Sequence, residues 1–186
     1  MVIRLRLRIV LQPGEEGRGR PMVLPLDFRR HFISLIKTLA GTSGLAARFT
    51  LEKPGYSPYV FSVEFSKIID IVTRQREITA RPPILVTIST GLFDVMTTFS
   101  NGAIAMKGRE TVLGLYLKDI YLLPLKKIQT GEQEFRIAGH AVFRGVRHYV
   151  DGSDVGELEE AINTHLATKV RAQRGGLIIN PVRVKK

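Results

Sequence analysis

The first eleven residues, MVIRLRLRIVL, alternate apolar and polar positions with a period of two. Because successive side chains of a β-strand point to opposite faces of a sheet, this pattern predicts a strand with its apolar side chains on a core. Arg4, Arg6 and Arg8 then share the other face. Like charges on one face repel, so such a row is typical either of a solvated sheet face or of a surface that binds an anionic ligand.

Two later segments have the three-to-four periodicity of amphipathic helices. The first covers residues 24–41, with Arg30 and Lys37 on its polar side, and the second covers residues 90–102, where Asn101 and Gly102 are a natural stop. Alternating or β-branched runs predict strands over 59–65, 82–90 and 111–124. The segment 67–83 between them fits either a hairpin or a short helix.

The order of these elements predicts an α+β protein. Strand, helix, strand, strand, helix, strand is the βαββαβ ferredoxin-like unit, an antiparallel sheet with two helices on one face, and it is expected to cover residues 1–128. Residues 129–186 predict a partial second ferredoxin-like unit, with a helix over 153–175 that Asp154 caps and a strand over 176–184. In this fold the arginine row lies on the sheet face that the helices leave open.

Composition narrows the class of partner. The chain has 28 Lys and Arg against 17 Asp and Glu, a net charge of +11, which indicates nucleic acid or an anionic membrane surface. The sequence contains no basic amphipathic helix of the kind that binds a membrane surface, and it contains no apolar run as long as a membrane span. With no cysteine and four scattered histidines, we expect no metal site and no cofactor. The absence of cysteine and of a signal-peptide pattern favours a cytoplasmic protein.

Three stretches resemble the CRISPR-associated RAMP superfamily, most closely its endoribonucleases that process CRISPR repeat RNA. They are VIRLRLRI, VLPLDFRRHFISLIKTL and VTISTGLFDVMTTFSNGAIAMKGRETVLGLYLKDIYLLP. The resemblance implies tandem ferredoxin-like folds that bind CRISPR repeat or guide RNA on basic surface. It also implies further CRISPR-associated subunits or a second copy of the chain as protein partners.

The resemblance further implies a metal-independent cut, in which a ribose 2′-hydroxyl attacks the adjacent phosphate. Such a reaction uses a general base, a general acid and a cation, which the family draws from the end of the first helix and the loop after it. The matching positions are Lys37, Glu52 or Lys53, and Tyr59. The loop histidine frequent in the family is missing here, so His31 on the first helix is a substitute candidate and slow cleavage is expected.

The remaining candidates are expected to bind RNA rather than react with it. Arg4, Arg6, Arg8 and Arg30 supply cations, and Tyr56 could stack on a base, although a loop aromatic can equally pack on the sheet. Near the C-terminus no acid follows Glu160, and this segment predicts phosphate contacts from Lys169, Arg171, Arg174 and Arg183. The family's C-terminal glycine-rich loop has no clear counterpart before Lys186, which indicates a short form or a truncated chain.

Three interpretations follow from these observations. The first is a CRISPR repeat-processing endoribonuclease, and the second is a non-catalytic RAMP scaffold subunit that holds guide RNA in an effector complex. The missing histidine favours the second. The third is a ferredoxin-like RNA-binding protein outside the CRISPR system, such as a ribosome-associated one, which the net charge also permits.

Overall fold

The N-terminal alternation forms a strand, as predicted, at the centre of an antiparallel sheet. The structure is a computed structural model that describes residues 2–41, 58–124, 126–128, 134, 150, 153–174 and 181–184. The chain divides into two compact units, residues 1–129 and 130–186. The elements of the first unit are β1 (Val2–Pro13), β2 (Met22–Pro25), α1 (Arg29–Gly41), β3 (Tyr59–Val72), β4 (Glu77–Thr90), α2 (Phe93–Met106), β5 (Leu115–Leu122) and β6 (Lys126–Ile128).

Strand pairing in the first unit follows the ferredoxin-like order. β1 lies between β4 and β5, and β3 pairs with the other edge of β4, so the four long strands run β3, β4, β1, β5 with every pair antiparallel. β6 continues along β1 beyond β5. The fold class predicted from the order of elements is therefore confirmed for this unit.

The core lies between one face of the sheet and the two helices. Leu7, Ile9 and Leu11 of β1 are fully buried there, and the core also contains side chains from α1 and α2, including Phe32, Leu35, Ile36, Leu39, Val95 and Phe99. Each buried apolar side chain contributes about 1.5–3 kcal/mol relative to its exposed state, so the pleat of β1 is held firmly in this orientation. The alternate positions of β1 must then face away from the helices.

The first helix begins later than the sequence predicted. The predicted helix includes Leu24, but the structure puts Leu24 in β2, which pairs with residues 77–80 of β4. Pro25 disfavours helical backbone at the residue before it, so the helix cannot extend back to Leu24, and it begins at Arg29. Leu24 is buried all the same, because the strand points it into the core.

The ambiguous segment 67–83 is a hairpin rather than a helix. β3 and β4 pair along almost their whole length, from Tyr59 opposite Thr90 to Val72 opposite Glu77. Two register shifts, between Phe65 and Lys67 and between Ile68 and Asp70, interrupt the alternation in β3. These bulges hide the period of two in the sequence, which is why periodicity alone left a helix open.

Two other predicted boundaries were wrong. α2 continues past Asn101 and Gly102 to Met106, because Gly102 and Ala103 are buried and packing outweighs the low helix propensity of glycine. The strand predicted from Thr111 begins only at Leu115, since Leu113 and Gly114 turn the chain with φ values of +57° and +70°.

In the second unit the described elements are a helix and a short C-terminal segment. The helix α3 (Val155–Arg174) matches its prediction, and the Asp154 Oδ1 atom accepts a hydrogen bond of 3.0 Å from the Glu157 N–H, as expected of a cap. Residues 181–184, predicted as part of a strand, are not one. Two side chains of α3 instead form hydrogen bonds to the backbone of this segment. The Asn163 amide group donates to the Val182 C=O and accepts from the Val182 N–H, and the Glu159 carboxylate accepts from the Val184 N–H.

The strand β2 provides a test of this account of the core. Replacing the buried Leu24 by alanine should lower the free energy of unfolding by about 2–5 kcal/mol, because it leaves a cavity between the sheet and α1. The matched control is Val23→Ala on the same strand, where the side chain is 59% exposed and the cost should be within about 0.5 kcal/mol. Urea unfolding of both variants measures the difference, and equal costs would contradict the assignment of Leu24 to the core.

Candidate nucleic-acid interface

The sheet of the first unit has one face on the side opposite α1 and α2, and we call it the open face because neither helix covers it, although Thr87 and Ser89 on it are buried. The register of β1 and β4 pairs Arg6 with Ser89 and Arg8 with Thr87. Directly paired residues lie on the same face, so all four belong to the open face, while Leu7 and Ile9 between them face the core. The predicted arginine row is therefore on the side of the sheet that the helices do not cover.

Arg8 is bound within the protein. Its Nε–H donates to the Thr87 Oγ1 atom at 3.2 Å, and its Nη2 atom lies 3.5 Å from the Glu64 Oε2 atom. Both members of this ion pair are partly exposed, so the pair adds little to stability but leaves the Arg8 charge locally neutralised. Arg8 holds β1 to its neighbours and is a weaker site for an external anion than its sequence position suggests.

Arg6 has a different environment. Its Nη2 atom donates one long hydrogen bond of 3.4 Å to the Pro124 carbonyl oxygen. Its Nε atom is buried, and within the described residues this atom has no hydrogen-bond partner and no carboxylate forms an ion pair with the guanidinium group. A guanidinium group has five N–H donors, and a buried donor left unpaired costs about 1–3 kcal/mol. Arg6 therefore has free capacity to bind an anion.

Sequence reasoning missed two residues near this row. Lys126 stands opposite Arg4 in the register of β6 with β1, and Tyr121 stands opposite Arg8 in the register of β5 with β1. Tyr121 is 52% exposed, which is high for an aromatic side chain on a strand. Lys126 and Lys127 are visible in the sequence as a pair of cations shortly after Pro124. Only the strand register shows that Lys126 lies opposite Arg4.

Arg30 does not join the row on the open face. It lies in the first turn of α1, on the helix layer, and its Nε atom forms an ion pair of 3.0 Å with the Asp27 Oδ2 atom. Together with Arg76 and Glu77 these side chains line an open cavity of about 530 Å³. Two arginines and two acids balance in charge there, so the cavity offers little net attraction for phosphate.

Two candidate catalytic residues lie at opposite ends of the first helix. His31 is in the first turn of α1 and half-buried, whereas Lys37 is exposed in the last two turns. Six residues of helix separate them, about 9 Å along the axis and about 120° around it. The structure therefore does not bring His31 and Lys37 together in one site.

Tyr59 begins β3 and lies on the helix side of the sheet. Its ring packs edge-on against Phe99 of α2, with 4.9 Å between the ring centroids, and it contributes to the margin of the core. The chain leaves the end of α1, four residues after Lys37, and returns at Tyr59. Lys37 and Tyr59 are thus connected by the segment 42–58, in which the other loop candidates were predicted.

The remaining predicted residues are not part of the described geometry of the open face. Lys53 and Tyr56 lie outside the described residues, as does the alternative Glu52. Lys169, Arg171 and Arg174 lie in the C-terminal part of α3, in the second unit. Arg183 is exposed in the segment that α3 holds through Asn163 and Glu159.

Comparison with solved structures identifies proteins with the same fold. A Cas6-related protein from Pyrococcus furiosus superimposes with a TM-score of 0.64 at 15% sequence identity, over 94% of this chain and 73% of that one. A CRISPR-associated protein Cas6 gives 0.61 at 14% identity, with 94% and 73% covered. A RAMP protein described as binding different RNA substrates gives 0.59 at 13% identity, with 92% and 72% covered.

These likenesses establish the fold. The chain has the fold of Cas6 and RAMP proteins, as the sequence resemblance predicted. No protein-family model matches the sequence, and no curated protein matches it significantly.

Among the described residues, no helix is long and apolar enough to cross a membrane. No group of three or more histidine or acidic side chains in that part of the chain is arranged to hold a metal ion.

Proposed function

We propose that this protein is a CRISPR-associated RNA-binding protein that grips repeat or guide RNA on the open face of its first unit. The observation that carries the proposal is Arg6, a cation on the sheet face opposite the helices, whose buried Nε–H has no hydrogen-bond partner and which has no acidic partner among the described residues. A phosphate oxygen is an acceptor that arginine binds well, because the planar guanidinium group presents parallel donors.

Two further observations support RNA as the ligand. The net charge of +11 attracts a polyanion at long range and speeds its encounter with the protein. Proteins with this fold include Cas6 and a RAMP protein that binds different RNA substrates. At 13–14% identity these neighbours support the class of ligand rather than any particular RNA sequence.

Replacing Arg6 by glutamine should weaken binding to CRISPR repeat RNA about tenfold at moderate salt, which corresponds to roughly 1.4 kcal/mol. Losing one phosphate contact should also reduce the slope of log affinity against log salt concentration by about one. Fluorescence anisotropy titrations at several salt concentrations measure both quantities.

The matched control is Arg74→Gln, in the exposed turn between β3 and β4. This variant removes the same charge from the chain, so it reports on the long-range attraction alone and should keep the wild-type slope. Equal losses in the two variants would mean that the open face makes no local contact. A wild-type affinity that does not depend on salt would refute the electrostatic basis of the proposal.

A second function, cleavage of the bound RNA, is supported by the positions of Lys37, four residues before the end of α1, and Tyr59, at the start of β3, on either side of the segment 42–58. We propose that Lys37 and Lys53 stabilise the charged phosphorane and that Tyr59 relays a proton when a ribose 2′-hydroxyl attacks the neighbouring phosphate. His31 is the reserve base. A non-catalytic scaffold role is the alternative, and it predicts binding without any cut.

Lys37→Ala and Tyr59→Phe should each lower the single-turnover cleavage rate of repeat RNA by about 10²-fold, because each removes one catalytic group. Phenylalanine keeps the ring contact with Phe99. Repeat affinity should stay within about twofold of wild type, since positioning comes from distributed phosphate contacts. The assay is performed in EDTA, and its products should carry 2′,3′-cyclic phosphate ends.

The control for these variants is Lys118→Ala, an exposed lysine on β5 that should cleave at the wild-type rate. If substitutions of Lys37, Lys53, Tyr59 and His31 all leave the rate unchanged, the catalytic site lies elsewhere. If the wild-type protein binds repeat RNA and never cuts it, the scaffold role replaces the enzyme.

A further inference from the structure

The open face carries an exposed aromatic side chain on the edge strand β5. Tyr121 of β5 stands directly opposite Arg8 of β1 and is 52% exposed. No hydrogen bond of its hydroxyl group or stacking of its ring occurs within the described residues, whereas Tyr116 on the same strand is half-buried and its hydroxyl donates to Glu110 at 3.4 Å. A single exposed tyrosine is ordinary, so its surroundings decide whether it binds a ligand.

The surroundings of Tyr121 are cationic on one side. Arg6, whose Nε–H is unpaired among the described residues, lies two residues from Arg8 along β1. Two residues further along β1, Arg4 is opposite Lys126 in the register with β6. Successive residues of one face are about 7 Å apart along a strand, so these positions extend roughly 14 Å from the register position of Tyr121.

Arg8 contributes differently at the position of Tyr121 itself. Because its guanidinium group is paired with Thr87 and Glu64, its charge is locally neutralised. Arg6, the next arginine of this face, has no carboxylate partner among the described residues. A nucleotide has parts that match both positions, an aromatic base for Tyr121 and an anionic phosphate for Arg6.

We infer that Tyr121 stacks on an unpaired base of a single-stranded RNA segment while Arg6 contacts a phosphate that flanks it. The inference rests on the proposed RNA-binding function and adds the form of RNA that is bound. A base inside a duplex is already stacked on both sides, so a tyrosine on a sheet surface can reach only an unpaired one. Stacking on aromatic side chains tolerates any base, so sequence preference must come from other contacts.

Replacing Tyr121 by alanine should lower the affinity for a single-stranded repeat RNA by roughly 5- to 150-fold, the range measured for the loss of one base–aromatic stack. The affinity for the same sequence annealed to its complement should stay at the wild-type value. Tyr121→Phe keeps the aromatic face and should bind the single strand nearly as well as wild type. Leu122→Ala is the matched control, because Leu122 is the next residue of β5, is 68% exposed and should be neutral.

A spectroscopic experiment tests the stack directly. The chain has no tryptophan, so Tyr121→Trp introduces a unique fluorophore at the inferred site and Leu122→Trp introduces one beside it. Single-stranded RNA should quench the fluorescence of the Tyr121→Trp variant much more strongly than that of the Leu122→Trp variant, because only a stacked base contacts the indole ring.

The outcomes separate this inference from the proposed function. If wild-type protein binds RNA with the expected salt dependence but Tyr121→Ala binds single strand normally and both tryptophans respond alike, the stacking inference is wrong and the RNA-binding function stands. Equal losses for single strand and duplex would also overturn it, because the tyrosine would then act without stacking. If the wild-type protein binds no RNA at all, both fail.

Discussion

The alternation of β1 is the constraint on which the rest of the first unit depends. Leu7, Ile9 and Leu11 are fully buried between the sheet and the helices, and β1 is paired on both sides by β4 and β5. A shift of one residue in register would expose these side chains and bury arginines, at a cost of many kcal/mol. The charged residues are therefore fixed on the open face by the burial of their apolar neighbours.

On that face the environment, rather than residue type, distinguishes two arginines. Arg8 has a carboxylate partner in Glu64 and a hydroxyl partner in Thr87, and Arg6 has one long bond to a carbonyl oxygen. The first arrangement satisfies the guanidinium group internally, and the second leaves donors for a ligand. Of these two arginines, Arg6 is therefore the one without a carboxylate partner among the described residues, and further toward the start of β1 the register places Lys126 of β6 opposite Arg4.

Much of the fold could be predicted because its signals are local. The alternation of β1, the periodicity of α1 and α2 and the Asp154 cap of α3 each depend on a few neighbouring residues. β2 could not be predicted in this way, because its four residues, Met22–Pro25, form a strand only through their pairing with residues 77–80 of β4. The two bulges in β3 hid the hairpin for a related reason, because they matter only in the pairing with β4.

The candidate site was less predictable because its properties depend on contacts distant in sequence. The sequence places Arg6 and Arg8 on one face, but the partner of Arg8 is 56 residues away and cannot be read from the pattern. Tyr121 and Lys126 join the row only through the registers of β5 and β6 with β1. Arg30 shows the reverse case, a cation that the pattern leaves exposed and that Asp27 in fact pairs.

Ultraviolet crosslinking of the protein to single-stranded repeat RNA, followed by mass spectrometric mapping of the crosslinked residues, tests the central claim most directly. This account predicts that within the first unit the crosslinks fall on the open face, in residues 4–8 of β1 and residues 119–128 of β5 and β6. Crosslinks of the first unit confined to the outer surfaces of α1 and α2, with none in these strands, would contradict it.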